Sequence, residues 1–137
     1  MTDIQIEVQG FDATLGLEFD RYDGDEVLAH LTVTPTLQQP YGIVHGGVYC
    51  SVVESAASVG AALWFGERGN VVGVSNHTNF LRAVREGRLD VRATPVQRGR
   101  TQQLWAVTVR DEQDRLVASG EVRLANLASA DSLARPR

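Results

Sequence analysis

The chain has 137 residues and a formal net charge of −4. This length predicts one domain with a single core, and the near balance of charges gives no basic surface for nucleic acid or for a membrane. The one cysteine, Cys50, excludes an internal disulfide and fits a reducing cytoplasm.

The first part of the chain predicts a short helical turn followed by two strands. The turn is expected at Phe11–Leu15, and a first strand is expected within Thr14–Tyr22. A turn signal, Asp23–Asp25, separates it from the second strand, Glu26–Thr34, in which apolar and polar side chains alternate. Pro35 ends that strand, since proline removes a backbone donor.

The central stretch starts as a loop and becomes a helix. Pro40 and Gly42 exclude regular structure, and a helix is expected from about Gly46 to Phe65. The first turn of such a helix has free backbone N–H groups and a partial positive charge. It therefore suits an anion, including one that exists only in a transition state.

Two faces are predicted for this helix. One face carries Gly47, Ser51, Glu54 and Ser58. Glu54 is the only carboxylate of the helix, which is expected to be buried nearly all round. A buried acid is unusual unless it is paired or functional. A lone glutamate is more often solvated, and a Gly-Gly pair is more often a plain turn. The opposite, apolar face carries Val48, Val52, Ala56, Val59 and Leu63.

The rest of the chain predicts four more strands joined by short turns. Sheet strands packed on one long helix indicate an α+β fold. The tail from Ala128 to Arg137 has too little apolar content to pack and is expected to fray. The four strands are expected at Val71–Leu81, Leu89–Gln97, Gln103–Arg110 and Leu116–Leu124.

The run Gln39-Pro-Tyr-Gly-Ile-Val-His45-Gly-Gly, with Glu54 nine residues after His45 and Ser58 four residues later, closely resembles the hotdog-fold acyl-CoA thioesterases. Within them it looks most like the 4-hydroxybenzoyl-CoA and 1,4-dihydroxy-2-naphthoyl-CoA hydrolase type. The resemblance implies one hotdog domain over residues 1–137, with an antiparallel sheet wrapped around one long central helix. It also implies pairing through Val71–Leu81 into a homodimer, often doubled to a homotetramer.

The same resemblance implies catalytic roles. Glu54 would act as nucleophile or general base, and the Gly46 backbone N–H would stabilise the oxyanion. Gln39 and His45 would orient the thioester and the water, and Ser58 would assist the water or Glu54. The two roles of Glu54 stay open, because the sequence does not separate direct attack from activation of water. The expected substrate is an aromatic or medium-sized acyl-CoA, so coenzyme A is part of the substrate and no cofactor is needed.

Substrate-binding residues follow from the resemblance as well. Phe80 matches a position that lines the acyl pocket. The region expected to hold the CoA arm and phosphates supplies arginines, which suit phosphates, although loop arginines are usually just solvated. No cluster of Cys and His has metal-ligand spacing, so no metal is expected. The substrate-binding set is Gly47, Phe80, Arg82, Gly99, Arg100, Thr101 and Gln102.

Two other functions fit a hotdog chain. A dehydratase or hydratase has the same fold, but it spaces its histidine and acid differently. A non-catalytic acyl-CoA-binding protein would bind ligand tightly without turnover. Neither an apolar run of membrane-spanning length nor a signal-peptide pattern is found, so a cytoplasmic protein without a membrane or nucleic-acid partner is expected.

Overall fold

A computed structural model describes residues 6–129 of the chain. It contains two α-helices, six strands and two short 3-10 turns, Pro35–Leu37 and Gly66–Arg68. The predicted α+β class is confirmed. The elements are α1 (Phe11–Leu15), β1 (Glu18–Tyr22), β2 (Val27–Thr32), α2 (Gly46–Phe65), β3 (Gly69–Phe80), β4 (Arg88–Arg98), β5 (Gln102–Arg110) and β6 (Leu116–Ala128).

The six strands form one antiparallel sheet in the order β1-β2-β4-β5-β6-β3. Helix α2 lies against this sheet and contacts every strand from β2 to β6. The sheet therefore wraps around the helix, as predicted. Strand β3 follows α2 in sequence but pairs with β6, so it forms one edge of the sheet.

The core lies between α2 and the inner face of the sheet. The predicted alternation in β5 is confirmed, because Trp105, Val107 and Val109 are all buried. Val48 and Val52 of α2 are buried on the other side of this layer. By length and composition alone, α2 could cross a membrane, which the sequence analysis did not expect. Its burial against the sheet is that of a core helix.

Several element boundaries differ from those predicted. The first strand begins at Glu18 rather than Thr14, because α1 continues to Leu15 and Gly16 ends it in the left-handed conformation, with φ of 73°. The last strand continues to Ala128, four residues further than predicted. The predicted frayed tail lies mostly outside the described residues.

The largest departure concerns the side of α2 that faces β3. The sequence analysis expected this helix to be buried nearly all round. Instead, Glu54 is only half-buried, and Asn76, His77 and Asn79 of β3 are exposed. The reason is topological: β3 pairs only with β6 among residues 6–129, so no further strand covers this edge.

Candidate active site

The start of α2 is capped by the side chain of the residue before it. His45 has extended backbone angles, and its Nδ1 accepts the Gly47 N–H at 2.8 Å. A backbone N–H is always a donor, so Nδ1 carries the lone pair and the neutral ring keeps its hydrogen on Nε2. The Gly46 N–H donates to no acceptor within residues 6–129.

The two glycines at the helix start are required by two different neighbours. A Cβ on Gly46 would lie 2.6 Å from a carbon of the Phe80 ring. A Cβ on Gly47 would lie 2.9 Å from His45 Nδ1 and would disturb the cap. The first glycine lets an aromatic ring approach the backbone, and the second lets the histidine fold over the first turn.

The loop before the helix is held by its own hydrogen bonds. The Gln39 N–H donates to the Ile43 carbonyl at 2.8 Å, and the Gln39 carbonyl accepts the Gly42 N–H at 2.9 Å. The side-chain oxygen of Gln39 accepts the Tyr41 N–H. The Val44 N–H then donates to the Val84 carbonyl. Gln39 is therefore fixed at the mouth of the helix start.

A cavity of about 350 Å³ opens beside the Gly46 N–H. It brings together four residues predicted for the site, Gln39, Gly46, Phe80 and Arg82. Its volume lies in the range of small-molecule sites. The lining residues are Gln39, Ile43, Val44, Gly46, Tyr49, Phe80, Leu81, Arg82 and Ala83.

Glu54 lies two turns further along α2 and points at the edge strand. Its Oε2 accepts the Ser58 hydroxyl at 3.3 Å. The carboxylate rests on Gly73 of β3, where an added Cβ would lie 2.3 Å from Oε2. The register of β3 against β6 also shifts between Gly73 and Ser75.

Gly46 and Glu54 of one chain are too far apart to act on one carbonyl. They are eight residues apart in a helix that rises about 1.5 Å per residue, which separates their backbones by about 12 Å. A reacting carbonyl needs both groups within about 3 Å. The two groups therefore do not meet at one point within the single chain.

The residues predicted to hold the CoA arm do not all meet. Gly99, Arg100 and Thr101 line a second cavity of about 550 Å³ at the far end of α2, beside Trp64. Arg82 instead lines the first cavity. The Gln102 side-chain oxygen accepts a hydrogen bond from the Arg123 guanidinium at 3.0 Å.

The charges of the two predicted phosphate ligands, Arg82 and Arg100, have no carboxylate partner within residues 6–129. Arginines 21, 88, 92, 98 and 115 all have one. Guanidinium groups without an internal partner are available for an anionic ligand. Over the same described range, no group of three or more His, Cys, Asp or Glu could hold a metal ion.

Two residues of the site were missed by the sequence analysis. Gly73 sits under the Glu54 carboxylate, and only a long-range contact reveals this. Tyr49 lines the first cavity and is 3% exposed, yet its hydroxyl has no hydrogen-bond partner among the described residues. Its spacing of three residues from Gly46 places it over the same side of the first turn, a signal that was available.

The sequence pattern of the thioesterase superfamily matches residues 41–118. A protein of Mycobacterium tuberculosis is 51% identical over 120 residues, covering 85% of this chain and 86% of its own. A solved structure from that organism is 50% identical, covers 92% of this chain and 98% of its own, and gives a TM-score of 0.85.

Two further relatives carry informative names. The 1,4-dihydroxy-2-naphthoyl-CoA hydrolase of Escherichia coli is 32% identical over 113 residues, covering 82% of this chain and 83% of its own. The crystal structure of a thioesterase from Haemophilus influenzae is 32% identical and gives a TM-score of 0.81. It covers 85% of this chain and 82% of the other.

Proposed function

Because this chain belongs to the thioesterase superfamily and is a thioester hydrolase with the hotdog fold, we propose that it hydrolyses an acyl-CoA with an aromatic or medium-sized acyl group. The substrate named for the Escherichia coli relative is an aromatic acyl-CoA. The cavity beside the helix start, about 350 Å³, has room for such a group.

The observation that carries this proposal is the free Gly46 N–H at the mouth of the cavity. Attack on a thioester turns the carbonyl oxygen into an oxyanion, which a preorganised donor stabilises most in the transition state. The positive end of α2 adds to this effect. Gln39 lines the same cavity and His45 caps the helix start next to Gly46, and both would orient the thioester and the attacking water.

Glu54 is proposed as the group that starts the reaction, with Ser58 as its hydrogen-bond partner. As a general base it takes a proton from water, whose oxygen adds to the carbonyl carbon. The tetrahedral intermediate then expels the thiolate of coenzyme A, which receives the proton. As a nucleophile, a Glu54 oxygen adds to the carbonyl carbon and the C–S bond breaks, which releases the thiolate of coenzyme A and leaves an anhydride that water hydrolyses afterwards.

Because Gly46 and Glu54 lie about 12 Å apart along one helix, each active site is proposed to be shared by two copies of the chain. The edge strand β3 supports this arrangement, since it is twelve residues long and unpaired on one side within residues 6–129. Long open edges are normally covered. Pairing of two β3 strands would bring the partner's Glu54, with the Gly73 it rests on, toward Phe80 and Gly46.

Arg82 and Arg100 are proposed as contacts for the anionic parts of coenzyme A, with Gly99, Thr101 and Gln102 beside Arg100. The support is the absence of an internal carboxylate partner for either guanidinium in the described part of the chain. Each arginine lines a different cavity, so a single ligand would contact both only across the interface of two copies.

A thiol-release assay on a panel of acyl-CoA substrates tests the activity. The panel should include benzoyl-, phenylacetyl- and straight-chain acyl-CoA. Glu54→Gln keeps the size of the side chain and removes its charge, so turnover should fall by about 10²–10⁴ while the fold is retained. Glu67→Gln is the matched control, because Glu67 is an exposed glutamate just after the same helix. Hydrolysis by Glu54→Gln within about threefold of wild type would reject the catalytic assignment.

Complementation tests the shared site. Glu54→Gln and Gln39→Ala are each expected to be inactive alone. In a mixed dimer, one site would combine the intact Gln39 of the first chain with the intact Glu54 of the second. Random mixing should therefore restore about a quarter of wild-type activity, since half of the dimers are mixed and each has one intact site of two. No recovery in a sample that native mass spectrometry shows to contain mixed dimers would place the whole site in one chain.

A further inference from the structure

The loop that joins β4 to β5, residues 99–101, is held by a single residue of β6. The side-chain nitrogen of Asn126 donates to the Gly99 carbonyl at 2.9 Å and to the Arg100 carbonyl at 3.3 Å. The backbone N–H of Asn126 donates to the Thr101 carbonyl at 2.9 Å. Three successive carbonyls of the loop therefore point at one asparagine, which fixes the path of the loop backbone from outside the loop.

Asn126 is itself anchored to the core by Gln103. The indole N–H of Trp105 can only donate, and it donates to the Gln103 side-chain oxygen at 2.8 Å. The Gln103 side-chain nitrogen then donates to the Asn126 oxygen at 2.9 Å and to the Ala61 carbonyl of α2 at 3.2 Å. Gln103 and Trp105 are both 0% exposed. This buried chain of hydrogen bonds sets the orientation of the Asn126 amide, so its nitrogen faces the loop.

The anchored carbonyls determine where the N–H groups of the loop point. The peptide bonds of the loop are trans, and in a trans peptide the C=O of one residue and the N–H of the next point in opposite directions. Because the Gly99 and Arg100 carbonyls face Asn126, the N–H groups of Arg100 and Thr101 point away from it. Both residues are exposed, and neither N–H donates to an acceptor within residues 6–129. Successive backbone donors of this kind, next to a guanidinium group, suit an anion.

We propose that Asn126, anchored by Gln103, is a positioning residue for the anionic part of the substrate. It holds the loop so that the N–H groups of Arg100 and Thr101 meet a phosphate of coenzyme A together with the Arg100 guanidinium. This inference rests on the proposed function, in which Arg100 contacts coenzyme A. If the peptide groups of the loop turned over, their carbonyl oxygens would face the phosphate and repel it.

The expected signature of this role is a loss of binding that depends on the phosphates. The phosphates are remote from the reacting carbonyl, so contacts to them stabilise the bound substrate and the transition state equally. Loss of the Asn126 side chain should therefore raise KM and leave kcat unchanged. The same acyl group on pantetheine, which has no phosphate, should be hydrolysed by the variant as it is by wild type.

The test compares Asn126→Ala with wild type on the best acyl-CoA and on the corresponding acyl-pantetheine thioester. Asn126→Ala should raise KM for the acyl-CoA by about tenfold, with kcat and the acyl-pantetheine kinetics nearly unchanged. Asn76→Ala is the matched control. The Asn76 side chain also donates to a backbone carbonyl, that of Cys50 at 3.0 Å, but it lies on β3. This change should leave the ratio of the two kcat/KM values as in wild type.

A second variant and thermal unfolding separate positioning from a structural role. Asn126→Thr keeps an oxygen that can accept from Gln103 and favours a strand, but it offers one hydroxyl donor in place of two amide N–H groups. It should show the same selective rise in KM even if Asn126→Ala folds poorly. Equal losses on both thioesters with a lowered Tm would assign Asn126 a structural role and overturn the inference, as would an unchanged KM for the acyl-CoA in a folded variant. If wild type hydrolyses no acyl-CoA, the proposed function itself fails, and this inference fails with it.

Discussion

Strands β3 and β5 both lie against the central helix, yet they differ in almost every physical respect. In β5, alternate side chains from Gln103 to Val109 are at most 1% exposed. In β3, no residue is buried, and Val74 and Phe80 are 58% and 57% exposed. Strand β5 has a neighbour on each side, whereas β3 pairs only with β6 among residues 6–129.

The polar groups on the two sides of α2 follow the same division. On the β5 side, Gln103 donates to the Ala61 carbonyl and to Asn126, and its oxygen accepts the Trp105 indole N–H at 2.8 Å. On the β3 side, the Gly46 N–H has no acceptor within the described residues. On the β5 side of the helix, these polar groups find their hydrogen-bond partners within the chain. The other side presents groups that a substrate and a second chain could complete.

Two glycines allow the same substitution to probe each side. An added Cβ on Gly73 would lie 2.3 Å from Glu54 Oε2, and one on Gly60 would lie 2.5 Å from the Trp105 ring. The first obstacle is the end of a half-buried side chain that can move. The second is an indole ring that is 0% exposed and hydrogen-bonded. Gly→Ala should therefore cost activity at one position and stability at the other.

Gly73→Ala has the larger expected effect. The new methyl group would displace the Glu54 carboxylate, and a misplacement of about 1 Å can reduce a catalysed rate by about 10². Because Glu54 can move aside, the Tm should change by only a few degrees. Steady-state kinetics and thermal unfolding measure the two effects on the same sample. Unchanged kcat would mean that the position of Glu54 on Gly73 has no role in catalysis.

Gly60→Ala should reverse this pattern. Overpacking of a well-filled core costs about 1–3 kcal/mol, although alanine recovers up to about 1 kcal/mol of helix propensity. A lower free energy of unfolding in urea, with normal kcat per folded molecule, is the expected result. Ala62→Gly serves as a reference for helix propensity, since Ala62 is exposed on the same helix. A stabilised Gly60→Ala variant would show that Trp105 has room to move.

The contrast between β3 and β5 also explains what the sequence could predict. Strand β5 was predicted almost to the residue, because period-2 alternation reports burial on one face. Strand β3 was correctly placed, but the sequence did not reveal that its side chains are exposed in the single chain. An apolar run such as Val71–Val74 has the same composition whether its side chains pack against the same chain or against another chain.

The candidate site was predictable in its composition and not in its arrangement. The loop and helix start, from Gln39 to Gly47, are local in sequence, so their proximity followed from the pattern. The support of Glu54 by Gly73 and the isolation of the Tyr49 hydroxyl depend on long-range packing.

The smallest expected effect concerns the turn that follows β5, on the side of the molecule where the polar groups are hydrogen-bonded within the chain. Burial alone would raise the pKa of Asp111, but hydrogen bonds from Arg115 and from the Gln113 N–H hold the pKa below its ordinary value of 3.8. A carboxylate with a lowered pKa in the folded state stabilises the fold above its ordinary pKa. That contribution is lost as the pH falls through the lower, folded value.

Wild type should therefore have a higher Tm than Asp111→Asn at pH 7, and this gap in Tm should close as the pH falls below about 3.8. Asp114→Asn, the same change in the same turn, removes a carboxylate that accepts none of these hydrogen bonds, and it should show no such closing gap. Calorimetric Tm values from pH 7 to pH 2 make the comparison. A gap between wild type and Asp111→Asn that is constant with pH would mean that Asp111 acts through its shape and not through its charge.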